Sequence, residues 1–177
     1  LKRLEEKQIG ISRLEQVRDI FLFCCLTGLA YVDVASLSME NIVEGKRGRQ
    51  WLRKARNKTN NMCNIPLLRP ALRILEKYAE YRAATGRLLP VPSNQKMNAY
   101  LKELATLCGV TKNLTTHCAR HTFATTVTLA NGASLENVSK MLGHSSVRMT
   151  QHYAKILNSS IERDMDKIES ELIGEDE

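Results

Sequence analysis

The sequence lacks the features that mark membrane, secreted and common zinc-binding proteins. No apolar run approaches the roughly 18 residues that a membrane-spanning helix needs. The chain does not open with a basic segment and a cleavage site, and its five cysteines are an odd number without a repeating framework. CxxC pairs and an HExxH arrangement are also missing. We therefore expect a reduced, cytoplasmic protein that does not associate with a membrane.

Acidic residues are missing from a long central stretch, between Glu44 and Glu76. Seven basic residues crowd into thirteen positions of that stretch: Lys46, Arg47, Arg49, Arg53, Lys54, Arg56 and Lys58. The end of the chain is the reverse, because residues 162–177 carry a net charge of −6 and leave +13 on residues 1–161. A surface that only meets solvent usually mixes both signs. This patterning favours a nucleic acid partner.

The apolar patterning predicts a single, mainly α domain with a small antiparallel β-hairpin sheet, an α+β fold. The segments NIVEG, QWLRKAR and MCNIPL have strand character and are separated by glycine and asparagine turns. The first long helix should be capped by Ser12, with Leu14, Val17, Phe21, Cys24 and Cys25 on its core face. The predicted helices are residues 12–28, a short one from Tyr31, 70–86, 95–108, 117–130, 135–142, 147–153 and 160–172.

Four residues near the end of the predicted domain suggest phosphoryl transfer to a tyrosine. His117 and Arg120 are three apart and share a helix face, so both can reach one small anion. His144 follows Gly143, whose flexibility allows a close turn, and Tyr153 comes nine residues later. A phenol can attack a phosphate and hold it covalently while the cationic groups neutralise its charge. Any one of these residues alone would be an ordinary polar side chain.

A zinc site is the rival chemical interpretation of the same segment. His117 and His121 are four apart on one helix, and Cys118, Cys108 or His144 could complete a tetrahedron. The pattern is weak, however, because it includes no CxxC pair. We therefore assign His121 to the core, where it would support its helix, and predict no metal and no cofactor.

Four segments together resemble the catalytic domain of the tyrosine recombinase (phage integrase) family. They are FCCLTGLAYVDVASL, RNKT…IPL, THCARHTFATT and LGHSSVRMTQHYAK, which follow the family order from about Val17 to Tyr153. The resemblance is greatest to integrases of Bacteroides-type conjugative transposons. It implies site-specific DNA recombination and integration, by strand cleavage and rejoining through a 3′-phosphotyrosyl intermediate, without a metal. The implied partners are double-stranded DNA, further copies of the chain in a tetramer on DNA, and accessory DNA-bending proteins, in a nucleoid-associated setting.

The resemblance also implies a role for each matching residue. His117 and Arg120 would contact the scissile phosphate, and His144 would hydrogen-bond a nonbridging oxygen. Tyr153 would be the nucleophile. The remaining assignments are Lys58, which would protonate the leaving 5′ oxygen, Asp33, which would orient its neighbours, and the DNA-binding residues Lys46, Arg47, Arg49, Arg53 and Lys54.

One position departs from the family pattern, since Ala30 stands where the family has an arginine after TGL. A donor to the charged oxygens of a transition state is typically worth about 3 to 4 kcal/mol, so another cation should replace it. Side chains alternate along a strand, and Lys54, Arg56 and Lys58 should share one face. We therefore expect Arg56 to substitute for the missing arginine.

The domain organisation follows from the same resemblance. We expect a catalytic domain over residues 1–157 and an acidic C-terminal helix and tail over residues 158–177, which docks on a neighbouring protomer. We expect the family's N-terminal core-binding domain not to be part of this chain. Two alternatives use parts of the same evidence, namely a type IB topoisomerase-like enzyme that relaxes DNA and a catalytically weakened DNA-binding module.

Overall fold

The computed structural model describes residues 1–154, 165–166 and 168–170. Helices and one small sheet make up this part of the chain, so the predicted α+β class is confirmed. No helix within these ranges has the length and apolar character required to cross a bilayer. The α-helices are α1 (Lys2–Glu6), α2 (Ser12–Thr27), α3 (Tyr31–Val34), α4 (Arg69–Lys77), α5 (Ala79–Thr85), α6 (Asn94–Leu107), α7 (Thr116–Thr122), α8 (Leu135–Leu142) and α9 (Arg148–Ala154).

The predicted hairpin sheet is present as three antiparallel strands in chain order. They are β1 (Ile42–Glu44), β2 (Gln50–Ala55) and β3 (Met62–Pro66). Leu52 at the centre of β2 pairs with Ile42 on one side and with Ile65 on the other. Leu52 and Ile65 are fully buried, which turns one face of the sheet toward the core.

Helix α2 is the centre of the core. Its five predicted core residues are buried, and so are Ile20, Leu22 and Phe23 on its other sides. A helix that is apolar nearly all round must be covered on all sides. Helices α4, α6 and α7 pack around α2 and provide that cover.

Two local predictions were wrong. Ser12 is the first residue of α2 rather than its cap, because the cap position is Ile11 and has no side-chain hydrogen bond. The single helix predicted over residues 70–86 is broken into α4 and α5 at Tyr78. At the break, a buried Asp19 carboxylate oxygen of α2 accepts hydrogen bonds from Lys77 Nζ (2.6 Å) and Tyr78 Oη (2.9 Å).

The helix predicted over residues 117–130 changes character along its length. Helix α7 continues into a π-helical segment, Phe123–Thr128, and then into a 3₁₀ turn, Leu129–Asn131. Such π segments are rare and often lie at functional sites. The predicted helix of residues 160–172 lies mostly outside the described residues; residues 165–166 and 168–170 are helical.

Candidate active site

Arg120 is anchored between the ends of two helices. The side chain is buried, with Nη1 donating to the Gly28 carbonyl (2.5 Å) and Nη2 to the Leu142 carbonyl (2.6 Å). Gly28 follows the last residue of α2 and Leu142 is the last residue of α8, where carbonyls lack partners within their helix and carry partial negative charge. A guanidinium has five N–H groups, so three have no hydrogen-bond partner within the described part of the chain and remain for a ligand.

Tyr153 is buried on α9 and surrounded by imidazole rings. His121 meets its ring edge-on with centroids 5.0 Å apart, and His152 does so at 6.1 Å. The His144 ring lies nearly parallel to it, at 6.3 Å and 7°. Burial and then Arg56 lower the pKa of Arg120, and Tyr153 is among the groups that oppose this shift. The tyrosine therefore lies within electrostatic range of Arg120 of its own chain.

His144 is held at both its backbone and its ring. Its N–H donates to the Ser139 carbonyl (3.0 Å), and its Nδ1 lies 2.8 Å from Thr150 Oγ1. Burial, followed by repulsion from Arg120 and Arg56, lowers the pKa of His144 to about 4. Its ring is therefore neutral at pH 7, and it can act as a hydrogen-bond donor rather than as a cation.

Arg56 belongs to the same cluster as Arg120, Tyr153 and His144. Its side chain is 13% exposed, its Nε is 4.0 Å from Asp33 Oδ2, and that Nε has no hydrogen-bond partner within the described part of the chain. Arg56 lowers the pKa values of both Arg120 and His144, so its charge acts on both groups. Two guanidinium groups thus lie near one carboxylate, an excess of positive charge that favours an anionic ligand.

The strand alternation from which Arg56 was predicted does not extend to Lys58, so that part of the prediction was wrong. Strand β2 ends at Ala55, and the chain then turns, with hydrogen bonds from Arg56 N to Asn61 O (2.9 Å) and from Asn60 N to Arg56 O (2.8 Å). Lys58 is in the turn, where the alternation of strand side chains does not apply. The Arg56 side chain lies close to Gly143, since a Cβ at that position would be 2.9 Å from Arg56 Cδ.

Asp33 connects this turn to α3. Its side chain is 1% exposed, and its Oδ1 accepts a hydrogen bond from the backbone N–H of Asn57 (2.9 Å). Its other oxygen faces Arg56. Ala30, the position without the family arginine, precedes α3 and follows Gly28 by two residues. The position of the missing arginine is therefore near the Gly28 carbonyl that binds Arg120.

Several predicted residues are exposed and lie outside the buried group. His117 is exposed one turn before Arg120, and it contributes to lowering the pKa of the half-buried His121. Lys58 is exposed in the β2–β3 turn. The basic residues predicted to bind DNA lie in the β1–β2 connection and on β2; Lys46, Arg47, Arg49 and Arg53 are exposed, and Lys54 is half-buried.

The rival zinc set is not assembled in the described residues, among which no group of three or more His, Cys, Asp and Glu side chains is placed to hold a metal ion. Thr150 and the close packing at Gly143 were not predicted from the sequence. His121 was predicted to lie in the core, whereas its ring lies against that of Tyr153. The one available signal for Thr150 is its position three residues before Tyr153, which puts both on one face of a helix.

Comparison with known proteins decides the family. The model of the phage integrase family matches residues 8–159. The chain belongs to the phage integrase family. The tyrosine recombinase XerD of Corynebacterium glutamicum is 32% identical over 136 residues, which are 76% of this chain and 43% of that protein. XerD of Staphylococcus saprophyticus is 42% identical over 71 residues, 40% of this chain and 24% of that protein. The chain thus spans less than half the length of these curated relatives.

Solved recombinase structures share the fold. XerA recombinase superposes with a TM-score of 0.69 at 24% identity, covering 95% of this chain and 62% of that one. XerH in a post-cleavage complex with palindromic difH gives 0.71 at 15% identity, covering 96% and 50%. A lambda integrase dimer on a COC′ core site gives 0.66 at 20%, covering 86% and 55%. The fold is therefore that of a tyrosine recombinase catalytic domain.

Proposed function

We propose that this chain is the catalytic domain of a site-specific recombinase that cleaves and rejoins DNA through a 3′-phosphotyrosyl intermediate. The observation that carries the proposal is a cluster in which the Tyr153 ring lies against His144 while the charges of Arg120 and Arg56 act on that same histidine. Phosphoryl transfer needs little covalent chemistry beyond the nucleophile, and its rate depends on positioning and charge stabilisation. The proposed mechanism uses no metal and no cofactor.

In this mechanism the phenolic oxygen of Tyr153 attacks the scissile phosphorus and the 5′ oxygen leaves. Arg120 donates its free N–H groups to nonbridging oxygens, and His144 donates its ring N–H. His117, one turn before Arg120, contacts the same phosphate from the exposed side and helps to accept the phenolic proton. Lys58 supplies a proton to the leaving oxygen. The phosphotyrosyl bond retains the energy for religation to a new 5′ hydroxyl.

Arg56 replaces the family arginine that is missing at Ala30. Its buried Nε has no partner among the described residues, and an unpaired buried donor of this kind costs about 1 to 3 kcal/mol. A phosphate oxygen would satisfy that donor. Asp33 orients both Arg56 and the turn that carries Lys58. Arg56→Ala should therefore reduce cleavage much more than DNA affinity, whereas an equal loss in both would mean that Arg56 only grips the DNA backbone.

The decisive test is trapping of the covalent adduct. Nicked suicide duplexes, made from the end of the genetic element that encodes the chain, release a short 5′ fragment after cleavage and so prevent religation. The wild type should accumulate a protein–DNA adduct, and Tyr153→Phe, which lacks only the phenolic oxygen, should give none. Absence of an adduct from wild-type protein that binds the duplex would reject the proposal.

The role of Lys58 has its own test in a modified substrate. Replacing the leaving 5′ oxygen by sulfur produces a thiol, whose pKa of about 8.5 makes protonation unnecessary, unlike an alkoxide. Lys58→Ala should be slow on the oxygen substrate and close to wild type on the sulfur substrate. A defect that persists on sulfur would remove Lys58 from the acid role.

The exposed basic surface would hold the DNA backbone through Lys46, Arg47, Arg49, Arg53 and Lys54. Contacts with phosphates depend strongly on salt, and each lost contact lowers the slope of log affinity against log salt by about 1. Charge-neutralising variants of the exposed members should weaken binding to all duplexes alike. A change confined to one sequence would instead indicate base reading.

The last part of the proposal concerns the assembly of protomers on DNA and the mobile element in which the chain acts. The exposed apolar side chains of Met165 (58%) and Ile168 (46%) support docking of residues 158–177 on a neighbouring protomer, within a tetramer on DNA. Deletion from Asn158 onward should abolish cooperative pairing of two sites. Accessory DNA-bending proteins and a mobile element of the Bacteroides conjugative transposon type are the expected setting. The Tn1549 transposon integrase, with a TM-score of 0.61 at 14% identity, shares the fold.

A further inference from the structure

Thr150 is a fully buried residue whose hydroxyl faces the ring of His144. It is 0% exposed, it lies on α9 three residues before Tyr153, and its Oγ1 is 2.8 Å from His144 Nδ1. Threonine in a helix commonly gives its hydroxyl to the carbonyl four residues earlier. Other threonines of this chain do so, namely Thr27, Thr85, Thr106, Thr122, Thr125 and Thr128.

The Thr150 hydroxyl has one hydrogen-bond partner within residues 1–154, and that partner is the imidazole nitrogen. A buried hydroxyl hydrogen needs an acceptor, so the hydroxyl donates and Nδ1 accepts. With its pKa near 4, the His144 ring is neutral and carries a single N–H. That N–H must then be on Nε2, the nitrogen away from Thr150.

The other tautomer would be unfavourable at both ends. With the proton on Nδ1, the hydroxyl hydrogen of Thr150 would have no acceptor among the described residues. In addition, Nε2 would carry a lone pair instead of a hydrogen, so it could not donate a hydrogen bond to an anion that Arg120 and Arg56 attract. An anion-binding histidine that stays neutral has to present an N–H.

We propose that Thr150 is a positioning residue, whose hydroxyl holds His144 as the Nε2–H tautomer that donates to the bound anion. The identity of that anion as a DNA phosphate rests on the proposed function. Thr150 and Tyr153 occupy one face of α9 at a spacing of three. When α9 is docked, Tyr153 therefore lies in the site and Thr150 holds His144 as the Nε2–H tautomer. When α9 undocks, the site loses both.

The tautomer is measured directly on the free protein. Nitrogen-15 spectra of the imidazole rings at pH 7 distinguish protonated from unprotonated ring nitrogens, and His144→Gln assigns the signals of His144. The wild type should show Nε2 protonated and Nδ1 as an acceptor. Thr150→Val should give a mixture of tautomers, and Thr150→Ser, which keeps the hydroxyl, should restore the wild-type pattern. Thr128→Val is the matched control, since that buried hydroxyl donates to the carbonyls of Phe123 and Ala124 in its own segment.

The consequence for cleavage is measured on the suicide duplex. Thr150→Val should slow adduct formation about tenfold, the value of one net hydrogen bond, with DNA affinity unchanged within about twofold. Thr150→Ser and Thr128→Val should stay within about twofold of wild type. In a His144→Gln background, Thr150→Val should cause no further loss. Thr150→Ala replaces Thr150→Val if the valine variant does not fold.

Two results would overturn the inference. One is a contrary result in the nitrogen-15 spectra, namely that the wild-type His144 ring is protonated on Nδ1 or that loss of the Thr150 hydroxyl leaves its tautomer unchanged. The other is a further loss of cleavage from Thr150→Val in the His144→Gln background, which would show that the hydroxyl acts elsewhere. If the wild type forms no adduct, the proposed function fails, and the nitrogen-15 spectra alone still decide whether Thr150 sets the tautomer.

Discussion

Gly143 is closely packed in the candidate active site, and Gly143→Ala should destabilise both the fold and the site. The residue ends α8 with a φ of +61°, in the left-handed region that residues with a Cβ adopt at a cost of about 1 to 2 kcal/mol. A Cβ at this position would lie 2.7 Å from Cys63 Sγ and 2.9 Å from Arg56 Cδ. Overpacking of this kind typically adds about 1 to 3 kcal/mol.

A matched control separates the two costs. Gly109 has the same φ of +61°, and a Cβ there would meet no atom of the described residues within 4 Å. Urea unfolding at pH 7 should give a loss of about 1 to 2 kcal/mol for Gly109→Ala and about 2 to 5 kcal/mol for Gly143→Ala. The difference between the two variants measures the steric cost alone.

The same pair tests whether Gly143 positions Arg56. Under conditions where both variants are folded, Gly143→Ala should slow cleavage of the suicide duplex, because the new methyl group displaces the Arg56 side chain, and Gly109→Ala should not. If Gly143→Ala costs no more stability than Gly109→Ala and cleaves at the wild-type rate, the close packing against Cys63 and Arg56 does not constrain the site.

The remaining predictions concern one titration and one partly buried ion pair. The pKa of His144 falls to about 4 on folding from 6.5, so the unfolded chain binds the proton more tightly and stability is lost as pH falls between these values. Urea unfolding of the wild type should therefore lose up to about 2 kcal/mol more than that of His144→Gln from pH 7 to pH 5, and equal losses would contradict the low pKa. Asp19→Asn removes the carboxylate that Lys77 and Tyr78 bind and should cost about 1 to 3 kcal/mol in urea. Glu103→Gln at an exposed ion pair should cost under about 1 kcal/mol, and comparable losses for the two variants would argue against a role of Asp19 in joining α2 to the α4–α5 break.

The break between α4 and α5 shows where prediction from sequence stops. The apolar spacing from Pro70 onward is that of one helix, and nothing within the segment opposes it. Tyr78 leaves the helical conformation at the point where its hydroxyl donates to Asp19, a residue of another helix. Helix propensity is summed over residues that are neighbours along the chain, so it does not include a contact with a residue of another helix.

The residues of the candidate site likewise divide into those whose placement local sequence predicts and those whose placement depends on tertiary packing. The spacing of His117 and Arg120 fixes their common helix face, and the order of the four motifs identifies the family, because both depend only on local periodicity and residue identity. Arg56 was predicted from strand alternation, but Lys58, included in the same argument, is in a turn that the alternation does not reach.

Most of the helices, the three-stranded sheet, the family and the candidate nucleophile Tyr153 were therefore predictable from the residues alone, whereas the break at Tyr78 was not. The tertiary structure alone decided which groups meet: Arg120 with the carbonyl of Gly28, 92 residues away, and Arg56 against Gly143. It also decided that His144 is neutral and bonded to Thr150. The physical reason is that secondary structure follows from interactions between near neighbours, whereas burial, charge repulsion and hydrogen bonding in the site arise between residues that only packing brings together.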